Sequence, residues 1–224
     1  MINIKMLIDI HCHLDHCYFK DDLDKVIENA TRNSVKVILT AGLNPETNRK
    51  ALELAKKYNI VKPCLGIYPI QYDDNKDTLI NHKDIKNNFR NKKIGINIDE
   101  EIKFILKNKN KTAAIGEVGL DLFWIKDKFH EQKNLFEKMI SLAEDVSKPI
   151  IVHSRKAEQE CIEMLQSSKL KKVVMHCFTG KKLLVKRIID NGWFLTVPTS
   201  VTRSTQFQEN AKVTPITQLF CETD

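Results

Sequence analysis

Long apolar runs and paired cysteines are both missing from this sequence. No stretch approaches the ~20 apolar residues that a membrane-spanning helix needs, and the N-terminus shows no basic-then-apolar pattern followed by a cleavage site. The six cysteines form no Cys-x-x-Cys pair, so we interpret them as reduced and mostly buried. These absences predict a soluble, cytoplasmic protein without a disulfide framework.

Basic residues outnumber acidic ones, but they are not gathered into a patch. The 36 lysines and arginines against 29 aspartates and glutamates give a formal net charge of +7. Such a charge is compatible with a polyanionic partner. However, the lysines are spread along the whole chain, with no arginine cluster and no interleaved aromatic residues. Charge alone therefore favours a solvated, lysine-rich surface over a dedicated nucleic-acid stripe.

Apolar segments of strand length alternate with longer segments of helical period. At 224 residues with 42% hydrophobic residues, the chain can bury one large core, so we expect a single domain over residues 1–224. Strands are predicted at residues 7–10, 35–40, 60–66, 113–121, 149–153, 173–176, 193–197 and 216–222. Helices are predicted at 21–33, from 45 onward, and at 79–89, 98–107, 128–146, 157–166 and 181–190, whereas 201–212 is less regular. The alternation predicts an α/β fold, a (β/α)8 TIM barrel without the final C-terminal helix.

Polar side chains with metal-binding chemistry stand at the ends of the predicted strands. His11 and His13 are two residues apart, so on a strand they point to the same face. The whole set at the carboxyl ends of the strands is His11, His13, Glu117, His153, His176 and Asp224. Each of them alone could be an ordinary hydrogen-bonded residue. Their joint position at the rim where TIM barrels place their chemistry indicates a metal site instead.

Four imidazoles and two carboxylates are too many ligands for one tetrahedral ion. They suit two divalent ions, Zn, Mn or Mg, that share a bridging carboxylate, and imidazole ligands favour Zn or Mn over Mg. Paired ions would lower the pKa of a bound water from ~15.7 toward ~7 and polarise an electrophilic oxygen. The residues therefore predict a hydrolase.

The segments around these residues resemble those of the TatD family of metal-dependent deoxyribonucleases, among the amidohydrolase-like barrels. The matching segments are 9–15 (DIHCHLD), 115–121 (IGEVGLD), 151–155 (IVHSR), 176–180 (HCFTG) and 222–224 (ETD). They span the chain, and the ordered set is far more specific than any one of them. The resemblance implies hydrolysis of phosphodiester bonds in DNA, often from the 3′ end.

The resemblance also implies a role for each candidate ligand. His11 and His13 would bind one ion together with Asp224, and Asp224 would also orient or deprotonate the attacking water. A second ion would be held by His153 and His176.

Glu117 would bridge the two ions and would share the catalytic role with Asp224. A glutamate at this point also argues against the relatives that act on cyclic amides, which usually carry a modified lysine on the fourth strand.

Other residues are candidates for contacts with the substrate. Where the family usually has Gly-x-His-Pro after the third strand, this chain has Tyr68, which could donate to a phosphate oxygen but cannot serve as a cationic acid near neutral pH. Arg155 could clamp a phosphate or form a surface ion pair. Phe123 and Trp124 could stack a nucleobase, although packing against the rim is favoured.

Asp15 and Asp121 are interpreted as groups that orient ligands and loops.

The function predicted from the sequence is that of a DNase, a 3′–5′ exonuclease with DNA as its partner and no membrane association. Two alternatives stay open. One is a metal-dependent ester hydrolase acting on RNA or aminoacyl-tRNA, since metal chemistry does not choose between esters. The other is a metal-binding scaffold without catalysis, for which Tyr68 and the expected lack of a final helix are the support. A monomer or weak oligomer is expected. Without such a helix, the apolar flank of the final strand would be exposed and would favour weak association.

Overall fold

Eight parallel strands close into a barrel in the order of the chain, with the last strand paired to the first. This computed structural model describes residues 6–69 and 96–224. The strands are β1 (Leu7–Cys12), β2 (Val35–Ala41), β3 (Val61–Leu65), β4 (Ala114–Asp121), β5 (Ile150–Arg155), β6 (Val173–Met175), β7 (Phe194–Val197) and β8 (Leu219–Cys221). The barrel confirms the predicted TIM fold.

Helices follow most of the strands. In the described part of the chain they are α1 (Leu23–Arg32), α2 (Pro45–Lys57), α3 (Ile98–Lys107), α4 (Phe129–Asp145), α5 (Glu158–Gln166), α6 (Lys182–Asp190) and α7 (Thr205–Val213). The start of α2 shows how the sequence sets a boundary: Asn44 accepts from the backbone N–H of Thr47, while the Thr47 hydroxyl accepts from the backbone N–H of Asn44. Pro45 occupies the first turn, where a missing N–H does no harm.

Two predicted segments differ from the structure, and a third lies outside the described residues. Residues 201–212, predicted to be less regular, contain all of α7 but its last residue, and the start of this helix is capped by the hydroxyl of Ser204. The predicted strand over 216–222 is divided into a 3-10 turn at Ile216–Gln218 and the short β8, since the turn begins directly after Pro215. The helix predicted at 79–89 falls in the part of the chain that is not described.

Most residues of the largest apolar cluster in the described part of the chain belong to β4, β5 and β6 and to the helices α4 and α5. It includes the buried stripe of α4, which contains Leu135, Phe136 and Met139. This cluster fixes the strands that carry half of the candidate site. The six cysteines all lie in the described ranges and form no disulfide bond; Cys12, Cys64 and Cys161 are buried, whereas Cys17 and Cys221 are exposed. None of the helices in the described ranges combines the length and the apolar character of a membrane span.

Candidate metal centre

The end of β1 and the residues after β8 bring three side chains together at one end of the barrel. His11 is fully buried on β1, and His13 follows directly after that strand. Nε2 of His11 lies 3.5 Å from Oδ1 of Asp224, and Nε2 of His13 lies 3.2 Å from the same oxygen. We call His11, His13 and Asp224 the first half of the centre.

The ends of β5 and β6 supply a second pair of imidazoles. Nδ1 of His153 lies 3.0 Å from Oε1 of Glu117, and Nε2 of His176 lies 2.9 Å from the same oxygen. The two nitrogens are 3.4 Å apart. We call His153 and His176 the second half of the centre.

Glu117 stands between the two halves. Its Oε1 faces the second half, while its Oε2 lies 3.5 Å from Nε2 of His11 and 3.3 Å from Nε2 of His13. The side chain is buried on β4. Gly119 allows β4 to pass close to β5 at this level, because a Cβ at Gly119 would stand 1.9 Å from the carbonyl oxygen of His153. One carboxylate therefore contacts all four candidate imidazoles.

The far nitrogens of the second half face carboxylates. Nε2 of His153 lies 2.8 Å from Oδ2 of Asp121, and Nδ1 of His176 lies 3.5 Å from Oε2 of Glu222. A carboxylate behind an imidazole fixes which nitrogen carries the proton and leaves the other free to bind a metal. The carboxylate of Asp121 thus occupies the orienting position that its sequence motif suggested.

The first half has weaker partners behind its rings. Nδ1 of His13 donates to the carbonyl oxygen of Ala41 at 3.0 Å. Within the described ranges, Nδ1 of His11 has no hydrogen-bond partner. Thr223 donates from its hydroxyl to Asp9 on β1, and this contact ties the residue before Asp224 to the strand that carries His11.

Sequence reasoning assigned no role to Glu222, Asp9 or Cys177. Both acids belong to the segments that resemble the family, and the near-complete burial of Glu222 is the signal that singles it out. Cys177 directly follows His176, and its backbone N–H donates to Oε1 of Glu222 at 3.0 Å. His176, Cys177 and Glu222 therefore form a third group of closely spaced ligand atoms, within 4.8 Å of one another.

The side chains of both halves fit divalent ions. The ligand atoms of His11, His13 and Asp224 lie within 4.8 Å of one another. In the second half, Nδ1 of His153, Nε2 of His176 and Oε1 of Glu117 lie 2.9–3.4 Å from one another. With zinc bonds of about 2.0–2.1 Å, two ligands on one tetrahedral ion stand about 3.3 Å apart, which is close to the nitrogen-to-oxygen distances of 3.2–3.5 Å in the first half. Nε2 of His11 is buried and has no hydrogen-bond partner in the described part of the chain, as expected of an atom directed at a cation.

The charges of the centre depend strongly on one another. Burial by itself lowers the pKa of His13, His153 and His176, but their carboxylate partners outweigh burial and raise all three pKa values, those of His13 and His176 well above the usual range. Burial alone would raise the pKa of Glu117 and Asp224, yet the surrounding imidazoles bring both pKa values well below the usual range. Both carboxylates are therefore ionised at neutral pH and available as ligands.

Tyr68 and Arg155 both lie near the second half, but only one of them contacts it. The Tyr68 hydroxyl donates to Oδ2 of Asp121 at 3.3 Å and lies 3.1 Å from Nε2 of His153. Arg155 is exposed at the end of β5, and its guanidinium lies 4.2 Å from the centre of the Phe123 ring and 5.1 Å from that of Trp124. The rim therefore carries a cation stacked on aromatic rings beside the second half.

Comparison with known proteins identifies the family. A model of the TatD related DNase family matches residues 8–224. The chain belongs to this family. Among TatD relatives, human "Deoxyribonuclease TATDN3" is 32% identical over 97% of this chain and 77% of its own length. The "Uncharacterized metal-dependent hydrolase YabD" of Bacillus subtilis is 29% identical over 98% of this chain and 80% of its own length.

A solved TatD structure has the same fold. The crystal structure of the TatD homologue YJJV from Escherichia coli superposes with a TM-score of 0.81 at 25% identity, covering 99% of this chain and 80% of that one. The resemblance predicted from the motifs is thus confirmed, and the chain is a hydrolase of the TatD family.

Proposed function

We propose that this protein hydrolyses phosphodiester bonds of DNA at a centre of two divalent ions. One observation carries the proposal: Glu117 directs one carboxylate oxygen at each half of the centre, and it contacts all four imidazoles. A carboxylate in that position can offer one oxygen to each of two ions and so bridge them. Zn or Mn would suit the imidazole-rich ligand set best.

Each half of the centre would hold one ion. His11, His13 and Asp224 would bind the first, and His153 and His176 would bind the second. Glu117 would be shared between them. Divalent ions bound there would supply Lewis acidity toward a phosphate oxygen and lower the pKa of a bound water.

Asp224 has the position and the charge of a catalytic base. Its side chain is 30% exposed, whereas that of Glu117 is 4% exposed, so Asp224 is the carboxylate that faces the opening of the site. Its low pKa keeps it ionised at neutral pH, and it can accept a hydrogen bond from the attacking water. We therefore assign it to the orientation and deprotonation of that water.

Two surrounding residues would contact the substrate. Arg155 is exposed at the rim and could bind a phosphate through its planar guanidinium. Tyr68 lies deeper, where its hydroxyl can donate to a phosphate oxygen only by leaving Asp121. The human relative is named a deoxyribonuclease, which supports DNA as the substrate. Removal of nucleotides from the 3′ end follows from the family resemblance.

The proposal is tested with labelled strands on protein that has been stripped of metal and reloaded. Single-stranded DNA labelled at the 5′ end should give a ladder of shortening products, while a 3′ label should be released as a mononucleotide. RNA and an aminoacyl-tRNA are assayed on the same preparation. Faster turnover of RNA or of aminoacyl-tRNA would identify that ester, and not DNA, as the substrate. Bound metal without turnover of any ester would indicate a scaffold. Metal analysis should find two ions per chain.

A further inference from the structure

The loop after β4 is fixed to the second half of the centre through one carboxylate. Oδ1 of Asp121 accepts from the backbone N–H groups of Phe123 at 2.9 Å and Trp124 at 3.0 Å. Oδ2 of the same residue lies 2.8 Å from Nε2 of His153. The position of the loop and the orientation of this imidazole therefore depend on the same side chain.

A second contact joins the loop to the end of β5. The backbone N–H of Leu122 donates to the carbonyl oxygen of Arg155 at 3.0 Å. The guanidinium of Arg155 then lies over the Phe123 ring at 4.2 Å, and the rings of Phe123 and Trp124 meet edge to face at 4.6 Å. The three side chains form one preorganised surface, which we call the rim cluster.

Packing alone does not explain the rim cluster. Phe123 is 42% exposed, and its ring packs against Arg155 and Trp124 and not into one of the buried apolar clusters. In the described part of the chain, the large exposed apolar side chains include two aromatic ones: Phe123 lies in the loop after β4, and Tyr18 lies in a short 3-10 helix between β1 and α1. Aromatic surface is thus left open on the same rim as the candidate centre.

We propose that Phe123, Trp124 and Arg155 bind an unpaired nucleobase next to the phosphate that is cleaved. An open aromatic face combined with a guanidinium plane is the surface on which single-stranded nucleic acids stack their bases. A base within a duplex is already stacked on both faces and cannot reach such a surface. The inference rests on the proposed phosphodiesterase function and adds a base-binding subsite to it.

The contacts also place this subsite at one edge of the centre. Three contacts lead from the loop to the centre. The backbone N–H of Phe123 lies 2.9 Å from Asp121, the carboxylate of Asp121 lies 2.8 Å from His153, and His153 lies 3.0 Å from Glu117. A nucleotide whose phosphate reaches the second half can therefore extend its own or its neighbour's base over the rim cluster. This base, rather than one several nucleotides away, should be the one that is recognised.

The test uses short DNA strands in which one nucleotide at a time carries a tetrahydrofuran in place of its base. In the wild-type protein, removal of the base beside the cleaved phosphate should raise KM by about tenfold, as expected for loss of one base–aromatic stack, and should change kcat little. Phe123→Ala should bring the ratio of the KM for abasic strands to the KM for base-bearing strands close to one. Phe123→Tyr keeps a ring and should retain most of the ratio.

Further variants and a binding measurement make the result decisive. Arg155→Lys keeps the charge but loses the stacked plane, so it should reduce the ratio as well. Ile216→Ala, which removes a large exposed side chain before β8, is the matched control and should leave the ratio as in the wild type. Equal ratios in the wild type and Phe123→Ala would overturn the subsite.

Binding of the same strands in the presence of a chelator separates this inference from the nuclease proposal. Base-dependent binding that Phe123→Ala removes would support the subsite even if no strand were cleaved. Cleavage of every strand with no dependence of binding on the base would overturn the subsite and leave the nuclease proposal intact.

Discussion

The two halves of the candidate centre differ in what stands behind their imidazole rings. In the second half, a carboxylate oxygen of Asp121 lies 2.8 Å from the far nitrogen of His153, and one of Glu222 lies 3.5 Å from that of His176 without forming a hydrogen bond. In the first half, Nδ1 of His13 has only a backbone carbonyl behind it, and Nδ1 of His11 has no hydrogen-bond partner among the described residues. Carboxylates behind metal-binding histidines fix the ring and increase the basicity of the ligand nitrogen. The second half should therefore bind its ion more tightly.

The first half is also the more accessible one. His11 is fully buried, but the side chains of its partners His13 and Asp224 are 21% and 30% exposed, against 13% and 3% for His153 and His176. A tightly bound ion in the second half would serve as a permanent part of the structure. The first ion would exchange more readily and would lie beside the carboxylate assigned as the base. Substitution of one residue at a time should therefore change the metal affinity of one half more than that of the other.

The largest effect is expected from Glu117→Gln, which removes the one group that the halves share. Loss of the bridging charge should lower kcat at least about a thousandfold, because several kcal/mol of metal-dependent stabilisation depends on it. Metal analysis should show ions lost from both halves. Glu137→Gln, the same substitution at an exposed position of α4, is the control and should change neither value. Retention of both ions by the Glu117 variant would contradict the bridging role.

Asp224→Asn should separate the first half from the second. Loss of a general base typically costs about a hundredfold to ten-thousandfold in rate, and loss of a ligand should weaken only the first ion. Metal analysis after dialysis should then find one ion per chain instead of two. A variant that keeps both ions but loses turnover would assign Asp224 to proton transfer alone. Wild-type turnover would exclude it from the mechanism.

Asp121→Asn should weaken the second half and leave the first nearly unchanged. The substitution keeps the shape of the side chain but removes the charge behind His153, and loss of such a partner typically costs about 10–100-fold in metal affinity. Titration with a chelator would measure the affinity of each ion. Asp99→Asn, an exposed ion-pair residue of α3, offers a matched control. An unchanged affinity of the second ion in this variant would mean that the carboxylate behind His153 does not strengthen the second half.

The sequence was sufficient for the barrel and for the convergence of its polar strand ends. The parallel alternation of strands and helices dictates which ends of the strands meet, so residues as distant as His11 and His176 could be predicted to lie together. The boundaries near the end of the chain were harder. The short β8 has only three residues, and the pattern that precedes it is equally compatible with a strand and with a 3-10 turn.

The residues that contact the candidate metal ligands from behind were harder to predict from the sequence than the ligands themselves. Asp121 could be inferred because it ends a motif on the same strand as Glu117, but the contact between His176 and Glu222 joins residues from different strands whose register the sequence does not give. The contact between Asp121 and the hydroxyl of Tyr68, a candidate for substrate binding, was not predicted either. Side-chain rotamers decide such contacts, and no periodic pattern reports them.

The pH dependence of stability should have opposite signs in metal-free and metal-loaded protein. The pKa values of His13, His153 and His176 are raised in the folded state, so their contribution to stability is present below the unfolded value of about 6.5 and is lost as pH rises through the raised values. The lowered pKa values of Glu117 and Asp224 contribute above about pH 4 and are lost as pH falls through them.

Metal-free protein should therefore have its highest Tm at about pH 4.5–6.5 and lose stability toward pH 8. Bound ions require deprotonated imidazoles, so the Tm of zinc-loaded protein should rise from about pH 6.5 toward pH 8, where the Tm of metal-free protein falls. Thermal unfolding with chelator and with saturating zinc would show the two slopes. Parallel slopes would mean that the histidines of the folded, metal-free protein are not held protonated by the carboxylates.

Tyr68→Phe should have the smallest effect and the most specific one. The hydroxyl contacts Asp121 and His153 but neither residue of the first half, so its loss should weaken the second ion by only a few-fold, in line with one neutral hydrogen bond of about 1 kcal/mol. Chelator titration would detect this change. An increase in KM with unchanged metal affinity would instead mean that the hydroxyl acts in substrate binding alone. Tyr68→His distinguishes the two further, because an imidazole can carry a positive charge toward a phosphate whereas a phenol cannot.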